Sequence, residues 1–315
     1  RRLLGTVTDG DIRRAILAGT DMGAPAAEIM HRTPHVGREG DAKKTLLARM
    51  AAEVIRQIPL LDAEGRVVGI AYIDDLLSPP KAPENWVVLM AGGMGKRLRP
   101  LTESAPKPLL TVGDKPLLET ILESFIEQNF KRFYISVNYK AKAIKDHFGN
   151  GSGWNAEIRY VEEKTPLGTA GALSLIPERL ASPLIVMNGD LLTQVNFPEL
   201  LRYHHQQGSQ ATMCVREYDF QVPFGVVEIE DDQVKAIDEK PVHRFFVNAG
   251  IYVLEPDLID LVPKDTPFDM TTLFERAVDR GHGTAVFPIH EYWLDVGRVD
   301  DLERANSDFK NVFSK

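Results

Sequence analysis

A chain of 315 residues, 43% hydrophobic and 26% charged, can bury more than one core, and its length fits two domains better than one. A formal charge of -8 argues against nucleic acid as the main partner, because binding to a phosphate backbone normally brings a basic balance. No apolar run nears the roughly 20 residues that cross a bilayer, no signal peptide opens the chain, and the single Cys214 has no internal disulfide partner, so no membrane partner and a cytoplasmic location are expected.

The chain opens on Arg1 rather than Met, and "RRLLGTVTDGD" reads as the end of a strand entering a helix, so a natural start upstream is expected. "LLGTVTDGDIRRAIL" and, later, "VVGIAYIDDLL" share an order of apolar pair, glycine, short strand and acidic helix start, with Gly5 and Gly69 in matching places. This is an internal repeat whose first copy is cut short. The stretch from Ala26 to Gly69 predicts an amphipathic helix, then the strand "IPLLD" and a hairpin turn at "AEG".

These features resemble a tandem pair of cystathionine β-synthase (CBS) domains, an α+β module over residues 1–78, with only the last part of the first copy present. In such modules a Thr-x-x-Asp at a strand-to-helix turn holds a nucleotide's ribose and phosphate. Thr8 and Asp11 keep that spacing, whereas Tyr72 and Asp75 keep the acid without the hydroxyl. The resemblance leaves room for an adenine nucleotide, but Asp11 ahead of "IRRAIL" also suits a helix N-cap, and capping is the favoured reading.

The proline-dense "SPPKAPENW" marks the boundary, with a linker at 79–85 and a second domain at 86–315. Beyond it "WVVLM", "RFYISV", "LIVMN" and "ATMCV" read as strands, and "PLLETILESFIEQN" and "FPELLRYHHQQG" as helices. This alternation predicts an α/β fold with a mostly parallel sheet flanked by helices. "FGVVEIEDDQVKAIDEKP" and "FVNAGIYVLE" contain a hairpin, which makes the sheet mixed, and "DDLERAN" forms a last helix.

After the first of these strands comes "AGGMGKRLRPLTESAPKP", where glycines let backbone N–H groups approach phosphate oxygens. GxxxxGK[ST] fails at Met90 and Arg97, and a dinucleotide fingerprint fails at Leu98. The proline-punctuated segment between Arg97 and Lys107 can instead curl both cations over one phosphate chain.

With that loop, the motifs "EEKTPLGTAGAL", "VMNGDLL", "PFGVVEIE", "DEKP", "VNAGIYVLE" and "WLDVG" follow in the order found in the sugar-1-phosphate nucleotidyltransferases, which residues 86–309 resemble. The resemblance implies a Rossmann-like nucleotide-diphospho-sugar transferase fold and attack by a sugar 1-phosphate on the α-phosphorus of GTP or another NTP. It implies that Arg97 holds the β- and γ-phosphates and Lys107 the α-phosphate. Leu89, Ala91, Gly92, Gly93, Gly95, Pro166 and Gly168 would surround base and ribose. Lys240 would bind the phosphate of the sugar, with Asn188, Gly225, Glu239 and Asn248 around its hydroxyls. Asp190 and Asp295 would hold Mg²⁺.

Members that choose uracil or thymine present an amide where Glu163 aligns; a carboxylate accepts only, and guanine offers two adjacent donors to it. "PLGTAG" also resembles guanylyl-transferring members, so GTP is the expected nucleotide, provided that Glu163 and not Glu162 faces inward. A CBS pair ahead of such a domain resembles the glucosamine-1-phosphate guanylyltransferases of legionaminic acid biosynthesis. Mannose 1-phosphate and uridylyl or thymidylyl transfer remain alternatives, as do a non-catalytic scaffold and a CBS nucleotide sensor. A homo-oligomer is expected. His204 and His205, adjacent on a helix, cannot face one ion and read as a solvated helix end; His282 reads as a helix C-terminal turn and Trp293 as a core aromatic.

Overall fold

The computed structural model describes residues 2–21, 23–77 and 83–313, so residues 79–82 of the expected linker, and the side chain of Asp75, lie outside the described residues. The chain divides into two compact units, Arg1–Ala82 and Pro83–Lys315.

In the first unit, helix α1 (Asp9–Leu17) begins with a reciprocal cap. The Asp11 amide donates to Thr8 Oγ1 at 3.3 Å, while the Thr8 amide and hydroxyl donate to the Asp11 carboxylate at 2.8 and 2.6 Å. Thr8 is therefore the N-cap and Asp11 stands inside the first turn, one role away from that expected. Burial pushes the Asp11 carboxyl up, but the bonds from Thr8 and the charge of Arg14 outweigh it and hold it below the usual aspartate range. Strand β1 (Gly37–Arg38) pairs parallel with β2 (Gln57–Leu61), and β2 pairs antiparallel with β3 (Val67–Tyr72). Helices α2 (Lys43–Glu53) and α3 (Ile73–Leu76) complete the unit, with a small core at Leu46, Met50, Ile58 and Ala71.

The second unit runs through β4 (Trp86–Met90), α4 (Leu101–Ser104), the short pair β5 (Thr111–Val112) and β6 (Lys115–Pro116), α5 (Leu117–Glu127), β7 (Arg132–Val137), α6 (Ala141–Phe148) and β8 (Glu157–Glu162). It continues through β9 (Leu184–Asn188), β10 (Leu191–Thr193), α7 (Phe197–Gln207), β11 (Ala211–Gln221), β12 (Gly225–Glu230), β13 (Gln233–Glu239), β14 (Val242–Leu254), α8 (Met270–Asp279), β15 (Thr284–Ile289), β16 (Trp293–Asp295) and α9 (Val299–Val312). Among the described residues a seven-stranded sheet has the order β15-β11-β14-β9-β4-β7-β8, and only β14 runs antiparallel to its neighbours. The sheet is thus mixed and mostly parallel.

The interior strand β4 is apolar throughout because both faces are covered. Val87 and Leu89 enter the core beneath α5, while Trp86 and Val88 enter the core beneath α8. Burying one such side chain contributes roughly 1.5–3 kcal/mol. In the α5-side core, Phe125 stacks on Phe197 of α7 with ring centroids 3.7 Å apart. His204 departs from the solvated helix end expected: it is wholly buried, with Nδ1 2.8 Å from Thr212 Oγ1 and Nε2 3.4 Å from Glu255. Helix α7 packs on β14 and β15, and His204 reaches Thr212 of β11, so one histidine turns in while His205 stays exposed. His282 follows α8 as expected, its amide donating to Ala277 at 2.9 Å.

From β4 the chain passes to β7 and β8 on one side and then returns to β9 on the other, which puts the switch of direction between the carboxyl ends of β4 and β9. The two ends touch there: the Gly189 amide donates to the Met90 carbonyl at 2.9 Å, and a Cβ on Gly189 would lie 2.8 Å from that oxygen. The glycine loop and Asp190 leave the sheet from this crevice.

Candidate active site

The glycine loop leaves β4 with the Ala91 amide donating to Ser136 of β7 at 3.0 Å. It closes with Thr102 donating to the Gly95 carbonyl at 2.9 Å, which folds the following cationic segment back over the loop. A 3-10 turn, Lys107–Leu109, carries Lys107 into the crevice, where the side chain is buried and its ammonium donates to Asp190. Arg97 projects from the same loop so that its guanidinium lies against Gly297, where a Cβ would sit 3.5 Å away.

The two carboxylates, far apart in sequence, meet through a small ribbon. β10 pairs antiparallel with β16, with Leu191 opposite Asp295, and the Val296 amide donates to the Asp190 carbonyl at 2.9 Å. Burial and the charge of Asp190 push the Asp295 carboxyl up, against the opposing pull of Lys107 and Arg97. Asp295 Oδ1 is buried and has no hydrogen-bond partner among the described residues. Two carboxylates, one with an unsatisfied buried oxygen, form a hard-oxygen donor set that fits a divalent cation such as Mg²⁺.

Glu163 faces inward. Its amide extends the β7–β8 pairing with a bond to Val137 at 3.0 Å, and alternation along β8 leaves Glu162 outside, paired with Lys145. The Glu163 carboxylate accepts from Ser136 at one oxygen and from the Leu167 amide at 2.8 Å at the other. A Cβ on Gly92 would lie 2.7 Å from Glu163 Oε1, so the carboxylate adjoins the glycine loop. Gly168, at φ +78°, then turns the chain so tightly that a Cβ would meet the Phe268 carbonyl at 2.8 Å. Thr169, which follows, donates its amide and hydroxyl to Asp269 at 3.0 and 3.2 Å and accepts the first amide of α8, from Met270, at 2.8 Å.

Beside this corner a cavity of about 340 Å³ is lined by Thr169, Asn188, Asn248, Gly250, Tyr252 and Asp269, among others. It takes in two of the five residues assigned to the sugar phosphate. Gly225 and Glu239 lie opposite one another on the ribbon β12–β13, and Lys240 follows at φ +53°; all three are exposed and none lines the cavity. Ser136, Thr169, Tyr252 and Asp269 join the site beyond the residues expected from the sequence. Thr169 stands within "PLGTAG" and could have been read from that motif; Ser136 and Asp269 carry no local sequence signal. Trp293 donates from its indole to the Ala249 carbonyl at 2.9 Å and is partly buried, which agrees with a packing role. A second cavity, about 390 Å³, is lined by Met213, Phe274 and Val278 and holds none of the expected site residues.

Residues 86–312 match the family model described as nucleotidyl transferase, and residues 26–79 match the model of the CBS domain. Probable mannose-1-phosphate guanylyltransferase 1 of Oryza sativa subsp. japonica is 34% identical over 226 residues, 68% of this chain and 62% of that protein. Mannose-1-phosphate guanylyltransferase of Mycobacterium tuberculosis is 31% identical over 229 residues, 70% of this chain and 63% of that protein. The chain thus spans a little over 60% of the length of the curated relatives it matches. The crystal structure of HddC from Yersinia pseudotuberculosis complexed with GMP-PN is similar in fold, with a TM-score of 0.57 at 27% identity, covering 72% of this chain and 100% of that one.

Proposed function

The chain belongs to the nucleotidyl transferase family, and on that premise we propose that it joins GTP and a sugar 1-phosphate to give a GDP-sugar and pyrophosphate. The observation that carries this reading is the crevice at the end of β4, where Lys107 and Arg97 stand against the paired carboxylates Asp190 and Asp295. Two polyanions must meet in the reaction, so charge compensation is its first requirement. An oxygen of the sugar phosphate attacks the α-phosphorus in line. The new P–O bond forms as the bond to the β-bridging oxygen breaks, and pyrophosphate leaves with the electron pair. Lys107 gives up Asp190 for an α-phosphate oxygen, and Arg97 holds the departing pyrophosphate with a planar, two-pronged donor. Asp190 and Asp295 hold Mg²⁺, which when bound neutralises charge on the pyrophosphate.

Leu89, Ala91, Gly92, Gly93, Gly95, Pro166 and Gly168 shape the base and ribose pocket in this reading, and Glu163 reads guanine. A carboxylate has about four lone-pair sites, so each oxygen keeps one beyond its bond to Ser136 or Leu167. The relatives' names and the GMP-PN of the similar structure favour guanine over uracil or thymine. Asn188 and Asn248 meet the sugar in the cavity, and Gly225, Glu239 and Lys240 approach it from the ribbon. For the sugar itself, the relatives' names favour mannose 1-phosphate, whereas the joining of CBS and transferase units favours glucosamine 1-phosphate.

Residues ahead of 26 are taken as the remnant of a first CBS copy, in a domain arrangement of 1–78, 79–85 and 86–315. An adenine nucleotide there would have to break the Thr8–Asp11 cap, which disfavours the sensor reading. A scaffold has no use for a buried lysine set between two acids. Incubation with each NTP and a panel of hexose and hexosamine 1-phosphates in a Mg²⁺ buffer, following pyrophosphate release and product mass, tests the proposal. Turnover is expected with GTP and one sugar class, and no turnover with any pair would refute it.

A further inference from the structure

The ribbon β12–β13 stands with every residue from Gly225 to Glu239 exposed, although its sequence alternates as if one face were covered. Val227 lies opposite Ile237, and Ile229 opposite Val234 beyond a bulge at Lys235; these four are 45, 65, 69 and 63% exposed and form one apolar ladder. The other face carries Glu228, Glu230 and Asp238, and the bulged Lys235 bridges to Glu228 and Glu230 at 2.9 and 3.3 Å. A two-stranded hairpin alone is marginal in water, so a ribbon with this pattern needs a cover for its apolar side.

Further apolar side chains are exposed along the arm that leads to the ribbon. Tyr218 and Phe245 face each other across β11 and β14, and Phe224 at the head of the ribbon is among the most exposed side chains described. The four ladder side chains expose an apolar area on the order of 450 Å², comparable with the apolar share of the roughly 800 Å² per partner that a stable interface buries.

We propose that this arm is a homodimer interface, with the Val227–Ile237 and Ile229–Val234 ladder of one copy packed on the same ladder of a second. The apolar face carries no charge until Glu239 at its base, so nothing on it calls for a partner of opposite charge. A ladder laid on itself about a two-fold axis buries apolar rungs on apolar rungs and leaves both charged faces in water. Gly225 and Glu239 lie on the same face, one rung below Val227 and Ile237, so the contact forms beside two residues assigned above to the sugar phosphate.

Sedimentation velocity on the full chain tests this. At tens of micromolar the unmodified protein is expected to run at twice the 35.2 kDa chain mass. The double variant Val227→Asp/Ile237→Asp is expected to run as a monomer with an unchanged circular dichroism spectrum and a still cooperative melting transition, its midpoint lowered by loss of the contact. Glu228→Lys, on the opposite face, is expected to remain a dimer and controls for charge introduced anywhere on the ribbon. A monomeric unmodified chain at that concentration, or a dimer that survives the double variant, overturns the proposal.

Discussion

The wholly buried hydroxyl of Ser136, on β7, donates to Glu163 just past the end of β8, and the Leu167 amide holds the other carboxylate oxygen at 2.8 Å. The carboxylate is fixed before any nucleotide arrives, which removes an ordering cost from binding. Ser136→Ala is expected to lower the preference for GTP over UTP, read as a ratio of kcat/KM, by about 10-fold through loss of one bond to a charged group. Glu163→Gln should lower it further, by about 10- to 100-fold, because the amide presents a donor to guanine N1–H. If Glu163→Gln leaves the ratio unchanged, the carboxylate does not read the base.

Lys107 is the bond that keeps Asp190 from facing Asp295 unscreened. Lys107→Ala should reduce kcat by about 10²-fold or more, since charge compensation at the α-phosphate is lost. It should also lower the melting midpoint, and added Mg²⁺ should recover more of that loss in the variant than it adds to the unmodified protein. Differential scanning fluorimetry across a Mg²⁺ series reads both effects.

Asp295→Asn separates stability from function. Burial and Asp190 disfavour the ionised carboxyl, so a neutral amide in its place should raise stability at neutral pH without Mg²⁺. Pyrophosphate release should fall by about 10²-fold if, as proposed, Asp295 is one of two metal ligands. Urea denaturation and turnover on the same preparation test the pair of effects.

His204 sets a pH dependence. Burial lowers its pKa below the usual histidine value, against the pull of Glu255, so the folded protein keeps it neutral where the unfolded chain takes up a proton. Its stabilising contribution is complete above the ordinary histidine range and is lost as pH falls through that range toward the folded value. Stability should decline by up to about 1.4 kcal/mol per pH unit over that window, and His204→Leu should flatten the decline in urea midpoints measured from pH 7.5 to 5.5.

Gly168→Ala is expected to cost about 1–3 kcal/mol, since its positive φ and the Phe268 carbonyl leave no place for a methyl group. As Gly168 is assigned to the nucleotide pocket and Thr169, bonded to Asp269 and to the first amide of α8, lines the adjoining cavity, the same change should raise KM for both substrates more than it lowers kcat.

Where burial wrote the pattern, the sequence could be read: "WVVLM", "RFYISV" and "LIVMN" are apolar because both sheet faces are covered, and each is a strand. Alternation at the end of β8 likewise put Glu163 inside and Glu162 outside. Three-residue pieces such as "LLT" and "WLD" have no period, so the ribbon that joins Asp190 to Asp295 could be inferred only by resemblance. "ATMCV" understates β11, which runs on to Gln221 because it pairs with β14 along polar as well as apolar residues. His204 departs from the solvated helix end expected because α7 packs on the sheet there, which the helix period alone does not encode.

The β10–β16 ribbon also fixes when Asp190 and Asp295 can act together. A ribosome-bound chain has the glycine loop, Lys107 and Asp190 long before Asp295 emerges, and until β16 pairs with β10 it holds only half of the acidic pair. The acidic pair therefore depends on a contact between segments far apart in the chain, and any change that loosens β16 from β10 separates the two carboxylates without touching either one.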